Sequence, residues 1–132
     1  MKEALSCFLY RSYIAPDQDI SCVADIVKTS RRFNKEQHIT GILVFDGERF
    51  CQYIEGPRAP LQALIQRLEK DPRHVQFTPK HEALLQGERM FTSWSMAYVL
   101  VDDTASLEEM EPLNGLLALG KLKELIPMLD NG

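Results

Sequence analysis

Ile39-Thr40-Gly41-Ile42-Leu43-Val44-Phe45-Asp46-Gly47-Glu48-Arg49-Phe50-Cys51-Gln52-Tyr53-Ile54-Glu55-Gly56 sets two apolar runs on either side of Asp46-Gly47. That dipeptide favours a type I′ turn, in which both central residues take positive φ, so the stretch is expected to be a hairpin. Strand side chains alternate between faces, and here both sets are apolar, so both faces must be covered. Gln52 breaks the pattern, lying between Phe50 and Ile54 on one face. A primary amide there costs free energy unless its donors and acceptors are matched. Either core groups and backbone satisfy it, or a bound molecule faces it.

Working outward, Leu5-Ser6-Cys7-Phe8-Leu9-Tyr10 reads as a buried strand with Ser6, Phe8 and Tyr10 on one face. Tyr10 is either a core tyrosine or a phenol with a partner for its hydroxyl. After the turn Ala15-Pro16-Asp17-Gln18-Asp19, where either aspartate could cap a helix, Ile20, Val23, Ala24 and Val27 recur at helical spacing. The stripe then meets Arg31 and Asn34. Asn34 either ends the helix, as Asn does well, or makes an inward polar contact. Lys28, Arg31 and Arg32 are either a solvated face or a set of cations able to neutralise a phosphate.

Beyond the hairpin, Gly56-Pro57-Arg58-Ala59-Pro60 introduces a second helix with the stripe Leu61, Leu64, Ile65 and Leu68. Arg67 and Asp71, four apart, are spaced to pair, and Asp71-Pro72 ends the helix. Arg73-His74 is expected to begin a loop, His81 to Leu85 to form a strand, and Phe91 to Val101 to form the last strand. Trp94, Met96 and Tyr98 then share one face, where ordinary core packing explains them as well as a functional contact does. Two helices are expected in the tail, divided near Pro112, with leucines that need a cover. Two helices side by side on one face of a mixed sheet would leave a flat ligand between them in reach of Asn34, Tyr10 and Gln52.

A chain of 132 residues that is 45% hydrophobic can bury one compact core. Fifteen Lys and Arg against 19 Asp and Glu give a net charge of -4, which argues against nucleic acid as the main partner. No apolar stretch is long enough for a membrane span, and Met1-Lys2-Glu3-Ala4 leads straight into a strand without a signal peptide. Cys7, Cys22 and Cys51, an odd number in apolar runs, are expected to be reduced core thiols in the cytoplasm. No Cys or His cluster has metal-ligand spacing.

Several motifs in order resemble the BLUF family, the blue-light sensors that use flavin, over about residues 4 to 101. They are Leu9-Tyr10-Arg11-Ser12, Asn34 ahead of Ile39-Thr40-Gly41-Ile42-Leu43, Phe50-Cys51-Gln52-Tyr53-Ile54-Glu55-Gly56, Asp71-Pro72-Arg73-His74, and Arg89-Met90-Phe91-Thr92-Ser93-Trp94-Ser95-Met96. The resemblance implies a ferredoxin-like α+β fold, βαββαββ, with a five-stranded mixed sheet, two helices on one face and the C-terminal helices on the other. It implies non-covalent FAD, with FMN or riboflavin as alternatives. Tyr10 would be the photoactive tyrosine, Gln52 the switching glutamine and Asn34 the amide on the isoalloxazine edge. Trp94 or Met96 would be the residue that exchanges places near Gln52, and Ser30, Arg31 and Arg67 would line the cofactor.

On this reading residues 1–101 form the sensor and 102–132 a helical output segment. The chain is a photoreceptor rather than an enzyme, and its partners are a downstream effector protein and further copies of itself. Three other readings stand against it. An acyl-phosphate hydrolase would need a Gly-rich anion cradle with a suitable Arg, which is absent. A scaffold that had lost its flavin has no reason to keep Tyr10, Asn34 and Gln52 together. A flavin oxidoreductase would need a nicotinamide motif, and none is found.

Overall fold

The computed structural model describes residues 4–85, 87–91, 95–101 and 105–125. Strand β1 is Leu5–Ile14, helix α1 Cys22–Glu36, β2 Thr40–Phe45, β3 Arg49–Pro57, α2 Arg58–Lys70, β4 His74–Leu84 and β5 Ala97–Leu100. Two helices follow, α3 Ala105–Glu108 and α4 Gly115–Leu125. The strands form one sheet in the order β4-β1-β3-β2-β5, antiparallel except for the parallel pair β2 and β5. This is the expected mixed ferredoxin-like α+β sheet.

Parity along the strands separates two cores, as the doubly apolar hairpin required. On one face Phe8, Tyr10, Leu43, Phe45, Phe50 and Ile54 pack under Val23 and Val27 of α1 and Leu61 and Leu64 of α2. On the other, Cys7, Leu9, Ile42, Val44, Cys51 and Tyr53 pack under Leu107, Met110, Ala118, Leu119 and Leu122 of the tail. Fully burying one such aliphatic or aromatic side chain is worth about 1.5–3 kcal/mol, so each layer is held by several large contributions.

Local details depart from the sequence reading, each for a physical reason. Only Gly47 takes a positive φ in the hairpin turn (98°), so the turn is not type I′. Asp46 instead caps it, its Oδ1 accepting from the N–H groups of Glu48 at 2.9 Å and Arg49 at 2.6 Å. Asn34 does not end α1. His38 does, with φ 60°, and the Ile39 N–H reaches back to the Asn34 carbonyl at 2.8 Å, a Schellman closure that leaves the Asn34 side chain free to point inward. Neither aspartate caps α1 directly: Ser21 is the N-cap, and Asp19 accepts from its N–H at 3.1 Å. Ile20 is exposed rather than part of the buried stripe, and Cys22 is only half-buried.

His74 opens a strand, not a loop, and β4 runs eleven residues. Its pairing with β1 shifts register on both sides of Tyr10-Arg11, skipping Lys80 and the Gln76 region, where Gln76 has φ 55°. These are β-bulges, invisible to a reading by alternation. The last strand is shorter than expected, Ala97 to Leu100, and Phe91 lies before it in a loop on the tail side of the sheet. Arg67 and Asp71 do not pair. Asp71 binds Arg73 at 2.6 Å, while the Arg67 guanidinium lies over the Phe33 ring at 4.7 Å.

At Gly41 β2 has no room for a side chain against β3. A Cβ there would strike the Tyr53 carbonyl and lie 3.0 Å from Ile54 Cα, both backbone atoms that cannot step aside. Gly41→Ala is therefore expected to destabilise the fold by about 1–3 kcal/mol, the usual cost of overpacking. Urea denaturation of the two proteins measures it.

Candidate functional site

β1 and β3 pair antiparallel with Tyr10 directly opposite Gln52, and β2 sets Leu43 on the other side of Gln52. All three side chains point toward α1 and α2, and all are buried. The Tyr10 hydroxyl donates to Gln52 Oε1 at 2.5 Å. The other end of the amide, Nε2, donates to Met96 Sδ at 3.6 Å. A thioether is a weak acceptor, so the glutamine is held firmly at its oxygen and loosely at its nitrogen. Phe77 lies against the Tyr10 ring at 4.7 Å and His74 meets it edge-on at 5.9 Å.

Helix α1 holds the segment that carries Met96. Asn34 Nδ2 donates to the Ser95 carbonyl at 2.7 Å and Arg31 Nε to the Met96 carbonyl at 3.0 Å. Asn34 is fully buried, yet its Oδ1 has no hydrogen-bond partner. A buried amide oxygen left open costs free energy and is expected to accept from something with an N–H.

Between α1 and α2 runs a groove of about 390 Å³, lined by Ile26, Thr29, Ser30, Phe33, Leu64 and Leu68 and by the charged Arg67, Lys70, Asp71 and Arg73. A small cleft below it is floored by Tyr10, Leu43, Phe50 and His74. The groove thus has apolar walls, three basic groups and one carboxylate on its lining, and the Tyr10 phenol in the adjoining cleft. Burial pushes the Asp71 carboxyl up, but the Arg73 guanidinium and backbone N–H outweigh it and hold the carboxyl below its usual range.

Of the residues singled out in sequence, Tyr10, Gln52 and Met96 are brought into one hydrogen-bonded chain. Asn34 stands next to it through Ser95, and Ser30 and Arg67 line the groove. Arg31 turns instead to the Met96 carbonyl and lines a separate groove beside Tyr98. Trp94 lies outside the described residues. His74 was missed. Its Nε2 donates to the Leu68 carbonyl and its Nδ1 shares a hydrogen bond with Ser12 Oγ at 2.6 Å, tying the end of α2 to β1 under the groove. It stood in the motif Asp71-Pro72-Arg73-His74 that carries the family resemblance, but it was given no site role and Arg73-His74 was read as the start of a loop.

The family model for BLUF, sensors of blue-light using FAD, matches residues 5–97. The chain belongs to the BLUF family. Among relatives, the BLUF chain is 34% identical over 70 residues to the blue light- and temperature-regulated antirepressor BluF of Escherichia coli K12, covering 53% of the chain and 17% of the relative. It is 38% identical over 86 residues to the photoactivated adenylate cyclase subunit beta of Euglena gracilis, covering 64% of the chain and 9% of the relative. The chain therefore spans less than a fifth of the length of these curated relatives. The dark-state structure of the BLUF protein BlrB superposes with a TM-score of 0.70 at 30% identity, covering 85% of this chain and 82% of that one. Among the described residues no helix is long and apolar enough to cross a membrane.

Burial drives the phenols of Tyr10 and Tyr53 far above their ordinary range and pushes the Cys51 thiol up to about 12. In the unfolded chain a phenol titrates near about 10, so the folded state keeps protons that the unfolded state has lost. Folding stability is thus expected to be intact below about pH 8, to begin to fall as pH rises past the unfolded Cys51 thiol near about 8.5, and to fall more steeply past the phenols near about 10. Denaturant midpoints measured from neutral to strongly alkaline pH check the slope. The tyrosinate absorbance of Tyr10 and Tyr53 should appear only with unfolding.

Proposed function

We propose that this chain is a blue-light photoreceptor in which Tyr10, Gln52 and Met96 form the switch and a flavin, as FAD, lies between α1 and α2. The observation that carries the proposal is the buried Tyr10–Gln52–Met96 chain beside an amide oxygen, Asn34 Oδ1, that lacks a donor. An isoalloxazine edge alternates carbonyl and N–H groups, so its N–H suits Asn34 Oδ1 and its carbonyl suits the weakly held Gln52 Nε2. Ser30, Arg67, Lys70 and Arg73 on the groove's lining suit a ribityl and phosphate chain. Bound and excited by blue light, the flavin would supply a strong one-electron oxidant.

Tyr10 is the residue that yields the electron. Its proton lies on the short bond to Gln52 Oε1, so proton movement needs no rearrangement of the backbone. Buried as it is, Tyr10 holds that proton throughout the dark state. Gln52 answers by rotation or tautomerisation, because one end of an amide donates and the other accepts. Either change alters what Met96 receives from Nε2. Arg31 and Asn34 grip the backbone on both sides of the Ser95-Met96 bond, so the change meets an anchored segment. Trp94 is the alternative exchange partner on this segment.

Residues 102–132 are the proposed output segment, acting on another protein or on a second copy of the chain. Adenylate cyclase and antirepressor are the outputs named for two relatives.

The purified protein should be yellow, and blue light should shift its flavin absorption slightly to the red, reversibly in darkness. Colourless protein that also refuses added FAD overturns the proposal. Tyr10→Phe and Gln52→Leu should retain flavin and lose the reversible shift, whereas Asn34→Ala should weaken flavin retention or move the dark spectrum. An ordinary shift in either of the first two variants removes the assigned switch.

A further inference from the structure

The far face of the sheet carries a polar cluster that the photochemical site does not use. Glu111 lies in the connection between α3 and α4, half-buried against the sheet. Its Oε1 lies 2.9 Å from Arg11 Nε, an ion pair whose N–H is not aligned on the oxygen. The same oxygen accepts from Arg49 Nε at 3.2 Å and from the Tyr13 hydroxyl at 3.3 Å. The Arg11 and Arg49 guanidiniums lie 4.8 and 5.2 Å from the centre of the Tyr13 ring. The Glu111 backbone is held as well, for Lys80 Nζ donates to its carbonyl at 2.8 Å.

Lys80 is a buried lysine that reaches this carbonyl from one bulge of β4. At the other bulge the Gln76 carbonyl, on a residue with φ 55°, accepts from Arg11 Nη1 at 2.9 Å. A bulge re-aims side chains that regular pairing would send elsewhere. Both irregularities of β4 therefore serve the same cluster. Next to it Cys51 Sγ meets Met110 Sδ at 3.8 Å.

The strands that hold Glu111 are the ones that carry the switch. Arg11 follows Tyr10 on β1 and Cys51 precedes Gln52 on β3, each on the opposite face from its neighbour. Any backbone adjustment at Tyr10 or Gln52 is thus an adjustment at Arg11 or Cys51. Among the described residues, Ala97 and Val99 of β5 and Val101 just after it pack half-buried against the tail-side core.

We propose that Glu111 is a positioning residue, a clasp that fastens the α3–α4 segment to β1 and β3, and that the change at Tyr10–Gln52 reaches the tail through this clasp. The second half rests on the photoreceptor reading. The first half does not.

The test uses the full chain and hydrogen exchange over residues 105–125, in darkness and under blue light, with the flavin spectrum taken on the same samples. Glu111→Gln keeps the shape and removes the charge. It should give the normal reversible spectral shift. Its dark-state exchange in 105–125 should be faster by about tenfold, the size of one charge-assisted hydrogen bond. The light-minus-dark difference there should fall to less than half that of the parent. Raised salt should loosen the same segment more in the parent chain than in Glu111→Gln, where one charge is already gone and pairs such as Arg49–Glu108 and Lys121–Glu109 remain to be screened there. Tyr13→Phe, which keeps the ring, should give a smaller change of the same sign. Dark-state exchange in Glu111→Gln equal to that of the parent overturns the clasp. A full light-minus-dark difference in the loosened variant overturns its role in transmission. Absence of any spectral shift in the parent chain would fail the photoreceptor reading alone, because the dark-state and salt comparisons stand without it.

Discussion

The structure depends on one pairing: β1 against β3, antiparallel, in the register that sets Tyr10 opposite Gln52. Two polar side chains on a buried face are tolerable only because each satisfies the other. Leaving either donor or acceptor open would cost about 1–3 kcal/mol. Their mutual hydrogen bond is thus a stability requirement of the fold in its own right. The same bond can serve as a switch because Gln52 is held unequally, by a phenol at one end and a thioether at the other.

Helix α1 supplies the second constraint. The Schellman closure at His38 lets the last turn of the helix run past Asn34, so that the asparagine is inside the helix and aimed at the sheet. Arg31 lies three residues earlier, and the two take adjacent carbonyls of the segment leading into β5. On the opposite edge of that segment, buried Glu55 accepts from the Phe91 N–H at 2.7 Å and from the Tyr53 hydroxyl at 2.9 Å. Arg89 reaches the His38 carbonyl at 2.7 Å. Among the described residues ahead of β5, Ser95 and Met96 are therefore held by α1 and Phe91 by the polar end of β3.

Much of this was legible in the sequence. Period-two alternation is strict in β1 and β3, so Tyr10, Gln52 and the two apolar faces could be read from parity alone. Asn34 stayed ambiguous because helix termination and inward contact use the same residue type, and the αL residue that ends the helix is a histidine, not a glycine. The strand placement of His74 was illegible because Pro72 ahead of it imitates a loop. β4 was read as half its length because two extra residues scramble its alternation, and nothing at Gln76 announces a positive φ. The shortness of β5 follows from tertiary pairing: it is parallel to β2, and only four register pairs are made. The Glu111 cluster has no local signature, since its members come from positions 11, 13, 49, 80 and 111.

The two bulges of β4 have a consequence for the protein in a crowded solution. β4 is one edge of the sheet, and an edge of eleven residues with regular free N–H and C=O groups would invite a second copy to add as a further strand. The skipped positions, together with Pro79, which has no N–H to offer, break that row into short unequal pieces. The opposite edge, β5, offers only four residues. The sheet is thereby closed to edge-to-edge growth at both ends, which favours resistance to aggregation at high concentration.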